Sequence, residues 1–129
     1  MAYKKCVALV AEYKGNVSGY LNIYFNTMCS SLGGKGFPEL IDLGVLKKYR
    51  NQGIGNLLMQ VAEDIAKTYA DTVIIGVGLQ RDYGSAQRLY VKRGYIPDGS
   101  GLWWQGKPLE PYADLKNDDE AAIYMSKKL

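Results

Sequence analysis

A chain of 129 residues, 47% apolar and 22% charged, is long enough for one domain with a buried core and too short for a second catalytic one. Its formal charge of +3 is dispersed, with no block of five or more Lys/Arg, which argues against a nucleic-acid partner and suits a small anionic ligand. Histidine is absent, so any base is a carboxylate, an amine, a phenol or water, and most zinc or iron centres are excluded.

The start is basic and then apolar, but Glu12 follows soon and there is no small-residue cleavage site. The expectation is a cytoplasmic protein with no membrane span and no metal. Cys6 and Cys29 are too few for a disulfide framework, lack the paired spacing of a zinc site, and read as plain strand or loop residues.

Residues 6–13 and 17–25, rich in β-branched and aromatic side chains, flank Lys14-Gly15-Asn16 and predict a hairpin. Residues 26–38 collect Ser, Gly and Pro. Their "GGKG" lacks the Ser or Thr that follows the lysine of a phosphate loop, so the segment reads as a flexible connection. A strand is predicted over 39–45, then a basic turn at Lys47, Lys48 and Arg50. Ile54, Leu57, Leu58, Val61, Ala62, Ile65, Ala66 and Tyr69 recur at steps of three and four, one apolar face of a helix over 54–70.

The continuous apolar run 72–79 predicts a strand buried on both faces, joined to the previous one by a crossover that is right-handed by the general rule. A second helix over 84–93 carries Ala86, Leu89 and Tyr90 on one face and stops at Gly94. Residues 95–97 begin another strand. The long segment 99–120, with Trp103, Trp104, Tyr112 and several acids, reads as a functional loop before a last strand over 121–126.

At the start of the first helix, "RNQGIGN" presents two glycines behind an arginine. The first helical amides have no partner within the helix and carry a partial positive charge, and bare backbone at Gly53 and Gly55 admits a ligand closely. Taken alone, the pair of glycines reads as a plain tight turn before it reads as an anion site; the strand, the basic turn and the amphipathic helix around it favour the anion site. A dinucleotide fold is disfavoured, because Leu58 stands where its third glycine belongs.

Arg50-Asn51-Gln52-Gly53-Ile54-Gly55 resembles the Arg/Gln-x-x-Gly-x-Gly/Ala signature of the GNAT superfamily of acyl-CoA N-acyltransferases. Ala86 to Tyr95 is similar to that family's Ala-x-x-Leu-Tyr-x-x-x-Gly-Phe pattern. The resemblance implies an α/β (α+β) fold with a mixed, mostly antiparallel central sheet flanked by helices. It also implies transfer of an acetyl group from acetyl-CoA, as co-substrate, to a primary amine of a small molecule or peptide. Family members usually begin with a strand and one or two helices ahead of the hairpin, and the expectation is that this sequence starts at the hairpin.

Under that resemblance Arg50, Asn51, Gln52, Gly53, Ile54, Gly55 and Asn56 hold the coenzyme pyrophosphate. Leu43, Gly44 and Val45 pair with the pantetheine arm, and the amide of Val45 or its neighbour faces the thioester carbonyl. Tyr83, Ala86 and Tyr90 complete the coenzyme site, with Tyr83 standing where asparagine is common.

Tyr90 takes the place of the acid that protonates the leaving sulfur; without the motif it reads as a core aromatic. Glu39 is the candidate base, with a solvated strand-edge carboxylate as the bland reading. Asp42, facing the other side of a regular strand, is the fallback, and bulk solvent a third route. Trp103, Trp104 and Tyr112 are candidates to stack on the acceptor, with Asp114, Asp118, Asp119 and Glu120 to attract an ammonium ion; a solvated acidic turn with its aromatics tucked onto the sheet is the equal alternative. Two rival readings are a coenzyme-binding module without catalysis and an interaction protein that dimerises through the two tryptophans.

Overall fold

The computed structural model describes residues 6–27 and 30–129; Cys29 lies outside them. β1 (Cys6–Tyr13) and β2 (Asn16–Tyr24) pair antiparallel around Lys14 and Gly15, whose φ values of 51° and 83° make a two-residue type I′ turn. Asn16 therefore belongs to the strand, and the strand ends at Tyr24, not at residue 25.

The described part of segment 26–38 is not the free connection expected from its composition. The Thr27 amide donates to the Phe37 carbonyl (2.9 Å), the Gly34 amide to the Thr27 carbonyl (2.8 Å) and the Gly36 amide to Asn26 Oδ1 (3.1 Å). Asp98 holds the far side by accepting from the Ser30 hydroxyl (2.6 Å) and the Ser31 amide (3.0 Å). Backbone groups that find partners in this way fix a loop without regular structure.

β3 (Glu39–Val45) pairs antiparallel with β2, but the register slips between Tyr20 and Asn22, and Asp42 adopts φ 61°. That is a bulge, which bends the strand and breaks its in-out alternation. A single 3-10 turn at Lys47–Tyr49 leads to α1 (Ile54–Lys67), which stops three residues short of the expected end. β4 (Thr72–Gly78) follows, then α2 (Gly84–Lys92), β5 (Ile96–Pro97), β6 (Trp103–Trp104), β7 (Lys107–Pro108) and β8 (Ala122–Lys128). The segment 99–120 thus contains a small hairpin, turned by Gln105 and Gly106 at φ 54° and 76°.

One mixed sheet results, in the order β1-β2-β3-β4-β8-β6-β7 with β5 also on β8. The β3–β4 pair alone is parallel, as expected of a strand-helix-strand crossover. α1 packs Ile54, Leu58, Met59, Ala62 and Ala66 into a core shared with Leu21, Ile23, Val73, Ile75 and Val77 of the sheet. The apolar face is narrower than its periodicity suggested: Leu57, Val61 and Tyr69 are exposed, and Met59 and Glu63 are buried instead. Tyr69, beyond the helix, lies 4.3 Å from the Phe25 ring. Among the described residues no helix is long and apolar enough to cross a membrane.

Candidate active site

β3 and β4 are paired only at Glu39 with Ile74 and at Leu40 with Ile75; beyond those two positions the strands diverge. The divergence opens a cavity of about 590 Å3, walled by β3 from Glu39 to Leu43, β4 from Gly76 to Gly78, and Tyr83, Ala86 and Tyr90 around α2. Backbone facing this space has no strand opposite it. The Leu46 amide donates to the Ser18 carbonyl (2.9 Å), and by antiparallel alternation the N–H and C=O of the preceding residue, Val45, point away from β2 and toward the cleft side. The Val45 carbonyl accepts from Arg50 Nε (3.2 Å), which ties the arginine to the end of the strand.

The turn before α1 runs through two left-handed residues, Asn51 at φ 63° and Gly53 at φ 78°. Gly53 caps the helix without a side-chain hydrogen bond, and its carbonyl receives the Leu57 amide (3.0 Å). The amides of Ile54, Gly55 and Asn56 are left with no helical partner. A Cβ at Gly53 meets nothing within 4 Å, and one at Gly55 meets only Leu89 at 3.5 Å and Val45 at 3.7 Å in ordinary contact. Gly53 answers to its φ, and the protein's own packing requires no bare backbone at Gly55. What remains is an open face of amides beside Lys47, Lys48 and Arg50, none of which has an acidic ion-pair partner among the described residues. Those features fit a diphosphate.

Tyr90 is 5% exposed and lines the cavity, and no side-chain oxygen or nitrogen among the described residues is both buried and unpartnered. Burial pushes the Tyr90 hydroxyl up to about 12. Glu39 lines the same cavity and accepts a hydrogen bond from the Thr27 hydroxyl. Burial moves its carboxyl above the usual range, and the Thr27 bond offsets that only in part. Asp42, expected on the opposite side of a regular strand, lines this cavity too, because the bulge turns it there; Asn22 Nδ2 donates to it at 3.3 Å.

The sequence profile of the acetyltransferase (GNAT) family matches residues 2–95. The chain belongs to that family. Solved structures agree on the fold. An IAA acetyltransferase from Bacillus cereus superposes with a TM-score of 0.70 at 20% identity, covering 96% of this chain and 78% of that one. A ribosomal-protein-alanine N-acetyltransferase from Brucella melitensis gives 0.66 at 22%, covering 95% and 68%. A protein of Pyrococcus horikoshii gives 0.66 at 21%, covering 93% of this chain; the chain spans 63% of that protein's length. Among curated protein sequences none matches significantly.

Within this GNAT domain Trp103, Trp104 and Tyr112 do not line the cavity. Trp103 stands edge-on to Tyr124 (5.2 Å) and donates from Nε1 to Ser100 Oγ (2.8 Å), while Trp104 Nε1 donates to Asp118 Oδ1 (3.0 Å). Both are half-buried structural residues, and Tyr112 is fully exposed. Gln105 and Gly106 at the tip of the β6–β7 hairpin, with Asp119 and Glu120, reach the cavity instead. Tyr83 forms a wall: its ring lies so close over Gly78 that a Cβ there would come within 2.4 Å. Burial and a hydrogen bond with Asp119 raise its hydroxyl pKa, and Gln80 Nε2 donates to the same Asp119 at 3.0 Å.

Sequence reasoning missed the network behind the coenzyme turn. Arg93 Nη1 donates to Asn56 Oδ1 (2.7 Å) in the first turn of α1, and its Nε and Nη2 grip Glu63 at 3.0 and 2.8 Å. Lys127 Nζ (2.7 Å) and the Tyr95 hydroxyl (3.0 Å) converge on the same carboxylate. Burial works to raise the Glu63 carboxyl, but the hydrogen bonds from Arg93, Lys127 and Tyr95 outweigh it and leave it below the usual range. The available signal was its position in the apolar register, four residues after Met59 and three before Ala66.

Proposed function

We propose that the chain transfers an acetyl group from acetyl-CoA to a primary amine by direct attack in a ternary complex. The observation that carries this is the opening of the β3–β4 cleft beside the glycine turn, with Tyr90 in its wall. The coenzyme, when bound, supplies the activated acyl thioester. Arg50 and the amides from Gly53 to Asn56 hold its diphosphate, and the unpaired edge of β3 from Leu43 to Val45 receives the pantetheine arm.

The Val45 amide, facing the cleft, stabilises negative charge on the carbonyl oxygen. Glu39, ionised, takes the proton that the amine loses as its C–N bond forms. Tyr90 gives a proton to the departing sulfur as the C–S bond breaks, and its raised pKa keeps it protonated for that step. Nothing in this sequence of proton transfers calls for a metal, and the setting proposed is the cytoplasm. The Brucella relative is named for a protein amino group, and a peptide amine is, with a small-molecule amine, the acceptor class considered.

Calorimetric titration of acetyl-CoA into the purified chain, beside an Arg50→Ala, Gly53→Asp double variant, tests the reading. Saturable binding that the variant loses is the expected result. Absence of binding in the unmodified chain refutes it; binding without turnover of any amine leaves a coenzyme-binding module.

A further inference from the structure

We infer that Arg93 is a positioning residue for the coenzyme: from the end of α2 it turns the side-chain amide of Asn56 so that the first turn of α1 offers the diphosphate donors only. This deepens the acyl-transfer reading above and rests on it. Arg93 stands at a position that the Ala-x-x-Leu-Tyr-x-x-x-Gly-Phe pattern leaves open, so the resemblance gives it no task.

The side chain of Arg93 is 10% exposed, and all three of its nitrogens are engaged. Nε and Nη2 hold the two oxygens of Glu63 (3.0 and 2.8 Å), and Nη2 also reaches Gln60 Oε1 (2.9 Å). Nη1 donates to Asn56 Oδ1 (2.7 Å) and, at 3.4 Å, to the Asn56 carbonyl. Residues 56, 60 and 63 follow one another at steps of four and three, so the guanidinium lies along one ridge of α1. Its own backbone is pinned as well. The Arg93 amide donates to the Leu89 and Tyr90 carbonyls (3.0 and 3.2 Å), which ties the contact to the end of the helix that carries Tyr90.

Asn56 is exposed and is the third residue of α1, so its backbone N–H is one of the three left free at the turn. An asparagine amide has an acceptor half and a donor half of nearly equal shape, and the residue alone does not settle which one faces a ligand. Oδ1 beside a phosphate oxygen is repelled, whereas Nδ2 there donates. A guanidinium can only donate, so Arg93 takes Oδ1 and leaves Nδ2 as the half on offer, beside the amides of Ile54, Gly55 and Asn56. Setting that orientation before the ligand arrives spares part of the ordering cost of binding. Buried Glu63 in turn holds the two other nitrogens and aims the fork. A lysine could answer Glu63, but its single ammonium has no second arm for Asn56.

The test is a double-mutant cycle in coenzyme affinity. Acetyl-CoA, and S-acetylpantetheine, which keeps the thioester and the arm but lacks the diphosphate, are titrated by calorimetry into the unmodified chain, Arg93→Lys, Asn56→Ala and the double variant. Each single substitution should weaken acetyl-CoA by about tenfold, the double variant no more than either alone, and affinity for S-acetylpantetheine should change by less than about twofold. Equal weakening of both ligands, or two effects that multiply in the double variant, makes Arg93 a packing residue and overturns the inference while acyl transfer stands. Unchanged acetyl-CoA affinity in Asn56→Ala does the same, and decides the matter if Arg93→Lys does not fold. If S-acetylpantetheine binds too weakly to measure, the cycle with acetyl-CoA decides alone. Failure of acetyl-CoA to bind the unmodified chain overturns both readings.

Discussion

Replacing Glu63 by alanine removes the one carboxylate on which Arg93, Lys127 and Tyr95 converge. Glu63 is 5% exposed, and the side chains of Arg93 and Lys127 are 10% and 22% exposed, so two cations and a hydroxyl would be left with little water to replace it. Removing one partner of a buried pair costs about 3–5 kcal/mol, and the partial exposure of Lys127 puts this case near the lower end, about 3 kcal/mol. At about 3–5 °C per kcal/mol for a domain of this size, the melting temperature should fall by roughly 10–15 °C. Urea unfolding followed by circular dichroism should show a lower midpoint at unchanged slope.

The pH dependence gives an independent sign. A carboxyl lowered in the folded state adds stability that is complete above its unfolded pKa, near about 4.3, and is lost as pH falls through the lowered folded value. The gap between parent and variant should therefore be constant at neutral pH and close progressively in acid. A loss below about 1 kcal/mol, the scale of an exposed ion pair, or a gap that persists in acid, refutes the assignment of a buried network.

Tyr90→Phe should lower kcat by about 10²-fold with coenzyme affinity kept, since the ring stays and only the proton donor goes; unchanged kcat removes Tyr90 from the mechanism. Burial raises the Glu39 carboxyl, and the base works only when ionised, so kcat/KM should rise with pH along a limb above the ordinary carboxylate value. Thr27→Val, which removes a hydrogen bond favouring the ionised form, should move that limb further up, and Thr27→Ser should restore it. A limb that stays put or moves down in Thr27→Val rules out Glu39 as the group observed.

What the sequence disclosed was local. The Lys14-Gly15 turn, the glycines before α1 and the extent of α2 follow from propensities of neighbouring residues, and all lie within a residue or two of their expected places. Features set across strands were not legible. The bulge at Asp42 depends on the register of β3 against β2, and a regular alternation put that carboxylate on the wrong face. The β6–β7 hairpin turns at Gln105-Gly106, with a left-handed glutamine that composition does not announce. Glu63 was passed over because a glutamate on a helix reads as solvated, and its three partners come from 30 or more residues away.

The parting of β3 from β4 also bears on how the molecule keeps to itself. Unpaired strand edges invite other chains to add to the sheet, and this sheet has two of them at its centre. They converge at Leu40 and Ile75 into a wedge, with Tyr83 as one wall, so a foreign strand finds no straight run of backbone on which to dock. A slender chain with spaced amides has no such difficulty. The geometry that leaves hydrogen-bonding groups free for a ligand thereby withholds them from aggregation.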